Sequence, residues 1–307
     1  MDDALFHPGE RLVQERTGER ATALINGRNI GPRIPAPARG FVSQQRWCVI
    51  GAADAHGGVS ASLLIGEPGF AQASDDLSQL HLALDDPHER LTRTAPFDGL
   101  QTGQSLALLL IELQTRRRLR VNGQVAAVSA DALDVAVGQA FPVCPRYIQK
   151  RQPEPEAADA DAAAASFAAG RELDQQVQDW ITATDTLFIA SLGPSGEADV
   201  SHRGGSAGFV QVRGQTLRIP DYNGNSMFNT LGNLAVESRC GLVLPDFSGS
   251  RQLQLSGHAR ACFDVVEDDE RTGGTGRWIE FEIDAWRITP LNRPLRWRFV
   301  EASPYNP

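Results

Sequence analysis

Residues 221–234 read D-Y-N-G-N-S-M-F-N-T-L-G-N-L, a segment rich in the residue types that bind anions. After Gly224 the apolar residues recur at helical spacing, so the pattern predicts a helix whose N-cap is Asn225 or Ser226. The free N–H groups at a helix N-terminus attract phosphate, and Ser226 and Asn229 add side-chain donors in the first turn. These residues serve either as a helix cap alone or as an anion site, and the segment by itself leaves both readings open.

A second polar segment, S-H-R-G-G, begins at Ser201 on a predicted strand. Alternation along a strand places Ser201 and Arg203 on one face and His202 on the other. Arg203 is suited to pair with a phosphate, and Gly204 is expected to let a flat ring approach the backbone. A Ser-His hydrolase is excluded because adjacent strand residues point apart. His202 is interpreted as a core-lining or surface histidine rather than a catalytic base.

The composition limits the kinds of function that these segments can serve. The net charge is -9 and the pI is about 5.2, which argues against nucleic acid as a partner. No apolar run reaches the roughly 18 residues of a membrane helix, and the acidic start of the chain lacks a signal-peptide core. We therefore expect a cytoplasmic, soluble protein with no membrane partner.

Lysine and cysteine usage narrows the chemistry further. Lys150 is the sole lysine, so a bound phosphate has to be held by arginine, backbone N–H groups and hydroxyls. The same scarcity disfavours a pyridoxal-phosphate enzyme, which needs a lysine for its Schiff base. The four cysteines lie far apart with no C-x-x-C pair. They are interpreted as buried, inert thiols, and no metal site is expected.

The chain contains an internal repeat that positions both polar segments in its second copy. Q-R-W-C-V-I-G-A-A-D-A-H-G-G-V-S-A-S-L-L-I-G-E-P-G-F, from residue 45, aligns without a gap to T-D-T-L-F-I-A-S-L-G-P-S-G-E-A-D-V-S-H-R-G-G-S-A-G-F, from residue 184. The repeat predicts an N-terminal copy with an arm over residues 1–151 and a C-terminal copy over 170–307. The acidic stretch between them, rich in alanine and proline, predicts a linker over 152–169.

Within each copy the pattern predicts short strands joined by glycine-rich turns. In the second copy the predicted strands are 187–192, 198–203, 208–213, 216–219, 240–244, 252–255 and 278–283, and a helix is expected from about residue 173. Many short strands with few helices are typical of a small antiparallel barrel. The fold class is therefore mainly β, and two barrels packed as an intrachain pseudo-dimer are the simplest architecture.

The first copy lacks the polar cluster of the second. Leu63 and Leu64 stand at the positions of His202 and Arg203. The first copy carries instead the basic run R-R-R-L-R, residues 116–120, and the sequence C-P-R-Y-I-Q-K-R, residues 144–151. A basic run of this kind is typical of a solvated strand face, whereas residues 145–147 are placed to reach the partner barrel.

Several motifs of the chain, in order, resemble FMN-binding proteins related to pyridoxamine 5'-phosphate oxidase. The motifs are F-H-P-G-E-R-x-V-Q at 6–14, C-P-R-Y-I-Q at 144–149, H-R-G-G at 202–205, P-D-Y-x-G-N-x-M-F-N-T-L-G-N-L at 220–234 and the final S-P-Y-N-P. The resemblance implies a split β-barrel fold with FMN bound where two barrels meet. In simple members that meeting is a homodimer, whereas the duplication here would supply both barrels within one chain.

The resemblance also implies which residues contact the cofactor. The strand with Ser201, His202, Arg203 and Gly204 matches the strand beside the flavin. The loop and helix start with Tyr222, Asn225, Ser226 and Asn229 match the phosphate-binding segment, and Arg146 and Tyr147 belong to a family signature whose contact with FMN is our inference. The oxidase itself uses an arginine–lysine pair on the phosphate, and this region contains no lysine.

Two hypotheses follow for the function. The first is an FMN-dependent oxidoreductase that holds one flavin between its barrels and acts on a small-molecule redox substrate or a nicotinamide donor, with a further homodimer possible. The second is a split-barrel protein that binds or senses flavin or haem without turnover. No catalytic residue is assigned, because hydride transfer to a flavin can proceed without an acid–base residue beside the ring.

Overall fold

The computed structural model describes residues 5–53, 57–86, 91, 94–154, 167–265 and 270–307. Most of the predicted linker, residues 155–166, lies outside the described residues. At its ends, Lys150–Pro153 and Ala168–Gly170 form short strands. The described residues contain five α-helices: α1 (Pro8–Arg16), α2 (Arg20–Gly27), α3 (Arg39–Ser43), α4 (Gln175–Ala183) and α5 (Asn229–Leu234). Among the described residues, every helix is too short and too polar to span a bilayer.

The first half of the chain forms a seven-stranded antiparallel sheet with the order β2-β1-β5-β6-β7-β4-β3. Its strands are β1 (Trp47–Ala53), β2 (Val59–Ile65), β3 (Ala71–Ala73), β4 (Gln79–Ala83), β5 (Ser105–Glu112), β6 (Arg117–Val128) and β7 (Ala132–Pro142). After it comes β8 (Lys150–Pro153), which pairs with the last strand of the chain, β17 (Trp297–Glu301).

The second half forms an eight-stranded sheet whose main path, β11-β10-β14-β15-β16-β13-β12, repeats the first order strand for strand. Its strands are β9 (Ala168–Gly170), β10 (Thr186–Leu192), β11 (Ala198–Gly204), β12 (Gln211–Arg213), β13 (Thr216–Pro220), β14 (Arg239–Asp246), β15 (Arg251–Cys262) and β16 (Trp278–Pro290). The mainly β, antiparallel fold class is confirmed.

The two halves also agree in strand register. Ile50 pairs with Ser62 between β1 and β2, and Ile189 pairs with Ser201 between β10 and β11. Gly123 and Gly257 each follow a β-bulge at matching points of β6 and β15. These correspondences allow each residue of one half to be compared with its counterpart in the other.

One predicted strand is shorter than the sequence pattern indicated. Residues 208–213 were expected as a strand, but β12 covers Gln211–Arg213 alone. Gly208 adopts a φ of 85°, in the left-handed region, and the N–H of Phe209 closes a turn onto the carbonyl of Ser206. The turn lets the Phe209 ring cover the Gly205 backbone, since a Cβ atom at Gly205 would lie 2.7 Å from that ring.

The apolar core has three main parts, and one of them joins the two halves. Each sheet covers its own cluster, and a third cluster takes residues from both, among them Val49, Leu109, Phe188 and Val243. The halves approach closely there, because a Cβ atom at Gly241 would lie 2.3 Å from the carbonyl oxygen of Val59. Continuous apolar burial of this kind fixes the two sheets as one unit.

Helix α1 belongs to the first half in sequence but packs on α5 of the second half. Its N-terminus is a capping box, in which His7 accepts from the Gly9 N–H group and Glu10 accepts from the His7 N–H group. Contact with α5 is close enough that a Cβ atom at Gly9 would lie 2.2 Å from the Gly232 carbonyl oxygen. The arm therefore brings Glu10 next to the polar segment at residues 221–234.

Candidate functional site

A cleft lies between the two halves, and both halves line it. All ten residues predicted from the sequence line it: Arg146, Tyr147, Ser201, His202, Arg203, Gly204, Tyr222, Asn225, Ser226 and Asn229. The structure thus brings the predicted set together, and their contact with a cofactor stays a prediction.

Strand β11 forms one wall of the cleft. Arg203 is ion-paired with Asp221, with 2.5 Å between Nη1 and Oδ1, and Arg277 holds the other oxygen of Asp221 at 2.8 Å. Ser201 Oγ accepts a hydrogen bond of 2.5 Å from Arg120 Nη2. Both Ser201 and Arg203 therefore have hydrogen-bond partners within the protein. They lie on one face of β11, as the alternation along the strand predicted.

His202 is buried and packs edge-on against Phe188, with 5.4 Å between the ring centroids. Burial, followed by the positive charges of Arg118, Arg203 and Arg151, lowers the pKa of His202 well below its ordinary value. The imidazole is neutral at physiological pH. Its Nε2 atom has no hydrogen-bond partner among the described residues.

The polar loop of residues 221–229 is built differently from the sequence prediction. The sequence predicts Asn225 or Ser226 as the N-cap, which is wrong: the N-cap is Phe228, and α5 begins at Asn229 and has six residues. Ser226 and Phe228 adopt left-handed φ values of 61° and 58°, which interrupt any helix before that point. Asn225 accepts from the N–H group of Met227, and Ser226 Oγ donates to Glu19 at 2.6 Å.

Asn229 joins the loop to the arm and to the first half. Its side-chain amide donates to Glu10 Oε1, and its Oδ1 accepts from Arg120 Nη1 at 2.8 Å. Burial raises the pKa of Glu10 to about 7, against the opposing hydrogen bonds from His7 and Asn229. Asp199 is ion-paired with Arg120 at 2.9 Å, so this buried network contains two carboxylates and one guanidinium.

The sequence pattern suggested that the basic run of the first half is a solvated strand face. This is wrong for Arg118 and Arg120. On β6, Arg118 and Arg120 alternate toward the cleft and line it, whereas Arg117 points outward and pairs with Glu112. Arg120 is 3% exposed. The i, i+2 spacing indicates that Arg118 and Arg120 share one face of the strand. The sequence of a single strand does not reveal that the other half of the chain covers this face.

Arg118 is the second arginine of β6 that lines this cleft. Its Nε atom is buried without a hydrogen-bond partner, and no carboxylate in the described ranges pairs with it. Burial, together with the positive charges of Arg120 and Arg203, lowers the pKa of Arg118 to about 9. An anion bound beside this guanidinium would compensate for the cost of keeping it charged there.

The glycine at position 204 serves a different purpose from the predicted one. A Cβ atom there would lie 2.1 Å from the carbonyl oxygen of Tyr147, so the protein backbone already occupies the space expected for a flat ring. Tyr147 itself has a left-handed φ of 66° and donates its N–H to Ser303 Oγ. The expectation for Gly204 is therefore corrected.

Aromatic side chains line the mouth of the cleft. The rings of Tyr147 and Tyr222 lie 4.9 Å apart, and the Tyr147 hydroxyl donates to the Asn223 carbonyl at 2.9 Å. The Arg146 guanidinium lies over the ring of Tyr305, 5.2 Å from its centroid. These contacts connect the first half, the loop and residues 303–306 around one opening.

Taken with the fold, this geometry defines a β protein with an arginine-lined cleft between two matching halves. Residues 173–289, somewhat more than a third of the chain, match the family model described as Pyridoxamine 5'-phosphate oxidase. We therefore assign this segment, which holds β11, the polar loop and most of the second sheet, to that family. The resemblance seen in the sequence is thus confirmed for the second half. No curated protein matches the chain.

Three solved structures illustrate the remaining likenesses. A putative pyridoxamine 5'-phosphate oxidase from Lactobacillus delbrueckii is 12% identical with a TM-score of 0.31, covering 38% of this chain and 93% of its own. General Stress Protein 26 from Bacillus anthracis is 10% identical with a TM-score of 0.29, covering 41% and 97%. A FAD-binding protein from Mesorhizobium loti is 9% identical with a TM-score of 0.29, covering 40% and 98%. At these scores the likenesses carry no argument about function.

Proposed function

We propose that the cleft binds FMN and that the protein is an FMN-dependent oxidoreductase. The observation that carries this proposal is Arg118, a half-buried arginine that lines the cleft, has no carboxylate partner among the described residues and has a buried Nε atom without a hydrogen-bond partner. The family match of residues 173–289 supports a flavin as the ligand. FMN has the required chemistry, because its phosphate is an anion and its ring system is planar.

The donor set fits a phosphate. Besides Arg118, the Nε atoms of Arg120 and Arg203 are buried and have no hydrogen-bond partner among the described residues. Four guanidinium groups line the cleft, those of Arg118, Arg120, Arg146 and Arg203. Asp199 pairs with Arg120 and Asp221 pairs with Arg203, so Arg118 and Arg146 leave the group with an excess positive charge. We infer that Arg118 and Arg203 hold the phosphate, and that arginine replaces the absent lysine of the oxidase pair.

The flavin would supply the hydride chemistry, and the chain would bind and orient it. Tyr147 and Tyr222 cover the opening and limit the access of water to it. His202 stays neutral, so it adds no positive charge to the wall of β11. Glu10 and Arg120 fix Asn229 from two sides, which holds the loop of residues 221–229 in place.

The decisive experiment is the spectrum and mass of whatever co-purifies with the protein, followed by addition of FMN. We expect flavin absorbance that remains with the protein after gel filtration. A protein that stays colourless with excess FMN would overturn the proposal. Addition of NADH or NADPH to the FMN-loaded protein then separates an enzyme, whose flavin is bleached and recovers repeatedly in air, from a flavin carrier or sensor that does not turn over.

A further inference from the structure

The strand pair that forms the cleft has a counterpart on the other side of the molecule. On the cleft side β6 faces β11, and Asn122 donates to Asp199 at 3.2 Å. On the other side β15 faces β2, and Gln254 donates to the Ala61 carbonyl at 2.7 Å. The matching registers make Gln252 the counterpart of Arg118, and Leu63 and Leu64 the counterparts of His202 and Arg203.

On the β2 side, protein side chains bind the outer edge of the strand. Gln252 Oε1 accepts from the N–H of Leu63 at 2.8 Å, and its Nε2 donates to Ser62 Oγ at 3.0 Å. Asn292 Oδ1 accepts from the N–H of Ile65 at 3.0 Å, and its Nδ2 donates to the carbonyl of the same residue at 2.8 Å. Both side chains are 1% exposed, so they fill the space as well as satisfying the backbone.

On the β11 side, the side chain at the corresponding position cannot accept a hydrogen bond from the outer edge of the strand. Arg118 stands at the position of Gln252, and a guanidinium group has no hydrogen-bond acceptor. The identical registers place the N–H of His202 where the N–H of Leu63 stands, directed away from the neighbouring strand. No side chain in the described part of the chain accepts from the His202 N–H. A ligand that fills the cleft has to bring that acceptor.

We propose that the β2–β15 side is a closed counterpart of the cleft, shut by Gln252 and Asn292, so that each chain binds one flavin rather than two. The proposal rests on the proposed function for the open side. It also assigns a role to the His202 N–H, which would donate to the ligand as the Leu63 N–H donates to Gln252. Leu63 and Leu64 are apolar, so the closed side lacks the positive charge that Arg203 provides on the open side.

Titration of the full chain with FMN, followed by quenching of flavin fluorescence at a protein concentration fixed by amino-acid analysis, measures the stoichiometry. We expect an endpoint of one FMN per chain, and the variant Arg118→Met should weaken this binding by about 10- to 100-fold without revealing a second site. An endpoint of two per chain would overturn the inference. An absence of binding would overturn the proposed function, and the second measurement then decides the question of closure.

Residue-resolved amide exchange by NMR tests the closure in the ligand-free protein. The amides of Leu63 and Ile65 should exchange at least about tenfold more slowly than the amide of His202, because side chains protect them. The variant Gln252→Ala should accelerate Leu63 and leave Ile65 unchanged, since Asn292 still binds Ile65. Equal exchange of Leu63 and His202 in the parent protein would show that the two sides are equally open and would contradict the proposal.

Discussion

Arg118 on β6 and Arg203 on β11 both line the cleft and their like charges interact, but only Arg203 is paired with Asp221, which also pairs with Arg277. The two residues come from different halves of the chain, 85 positions apart by their numbers. Neither half contains this arrangement by itself. The cleft is thus a property of the pairing of the halves, and a bound anion would balance the charge of Arg118.

Replacement of Arg118 by methionine should weaken FMN binding by about 10- to 100-fold, since a charged hydrogen bond contributes roughly 1.5–3 kcal/mol. The ligand-free variant should be at least as stable as the parent, because an unpaired buried charge is removed. Fluorescence titration and thermal unfolding measure the two effects. The control Arg117→Gln changes an exposed arginine on the opposite face of β6 and should leave affinity within about twofold. Equal affinities in both variants would refute the role of Arg118.

Glu10 should make stability depend on pH near neutrality. Because its folded pKa of about 7 lies above the ordinary value of 4.5, the folded state binds the extra proton between these values, and stability falls as pH rises through that window. The variant Glu10→Gln removes the titration but also loses the bond from the His7 N–H group, which costs about 1 kcal/mol.

Denaturant unfolding of Glu10→Gln and the parent at about pH 8 and about pH 5 measures this effect. Relative to the parent, the variant should be more stable by about 1–2 kcal/mol at the higher pH and less stable by about 1 kcal/mol at the lower pH. His7, Asp199 and Arg120 surround the carboxyl and remain in both proteins, so the difference isolates Glu10. A difference in stability that is the same at both pH values would contradict the raised pKa.

The architecture was accessible from the sequence because strand signals and the repeat are local. The seven apolar or alternating runs of the second half fall on strands, and the helix predicted from residue 173 is α4, with Val177 and Ile181 buried as its spacing required. The local sequence pattern also identified the polar residues that line the cleft. It could not predict the residues that each of them contacts in distant parts of the chain.

Three corrections have this common cause. The helix start moved to Asn229 because Ser226 binds Glu19 and Gln14 binds the Met227 carbonyl, contacts that span more than 200 residues. Arg120 was read as exposed because its partner, Ser201, belongs to the other half. Gly204 was read as space for a ring because nothing in its neighbourhood of the sequence indicates the approach of Tyr147.

Gly204 should not tolerate a side chain, whereas Gly224 in the same cleft should tolerate one. In Gly204→Ala the new methyl group would meet the Tyr147 carbonyl at 2.1 Å, and the resulting shift should cost roughly 1–3 kcal/mol and displace the aromatic rings at the mouth. In Gly224→Ala no atom lies within 4 Å of the new Cβ, so stability should change by about 0.5 kcal/mol at most. Thermal unfolding with near-UV circular dichroism of the tyrosines compares the two. Equal stability of both variants would contradict the close contact.

The docking of α1 on α5 depends on Gly9, and the sign of a glycine-to-alanine exchange tests it. In a free helix this exchange stabilises by roughly 0.5–1 kcal/mol. At Gly9 the added Cβ would lie 2.2 Å from the Gly232 carbonyl oxygen, so Gly9→Ala should instead destabilise the protein by about 1–3 kcal/mol and loosen the contact of Glu10 with Asn229. Gly40 on α3 has no atom within 4 Å of its Cβ position, and Gly40→Ala should show the stabilising sign. Denaturant midpoints of both variants measure the effect, and a stabilising Gly9→Ala would mean that the arm does not pack against the second half.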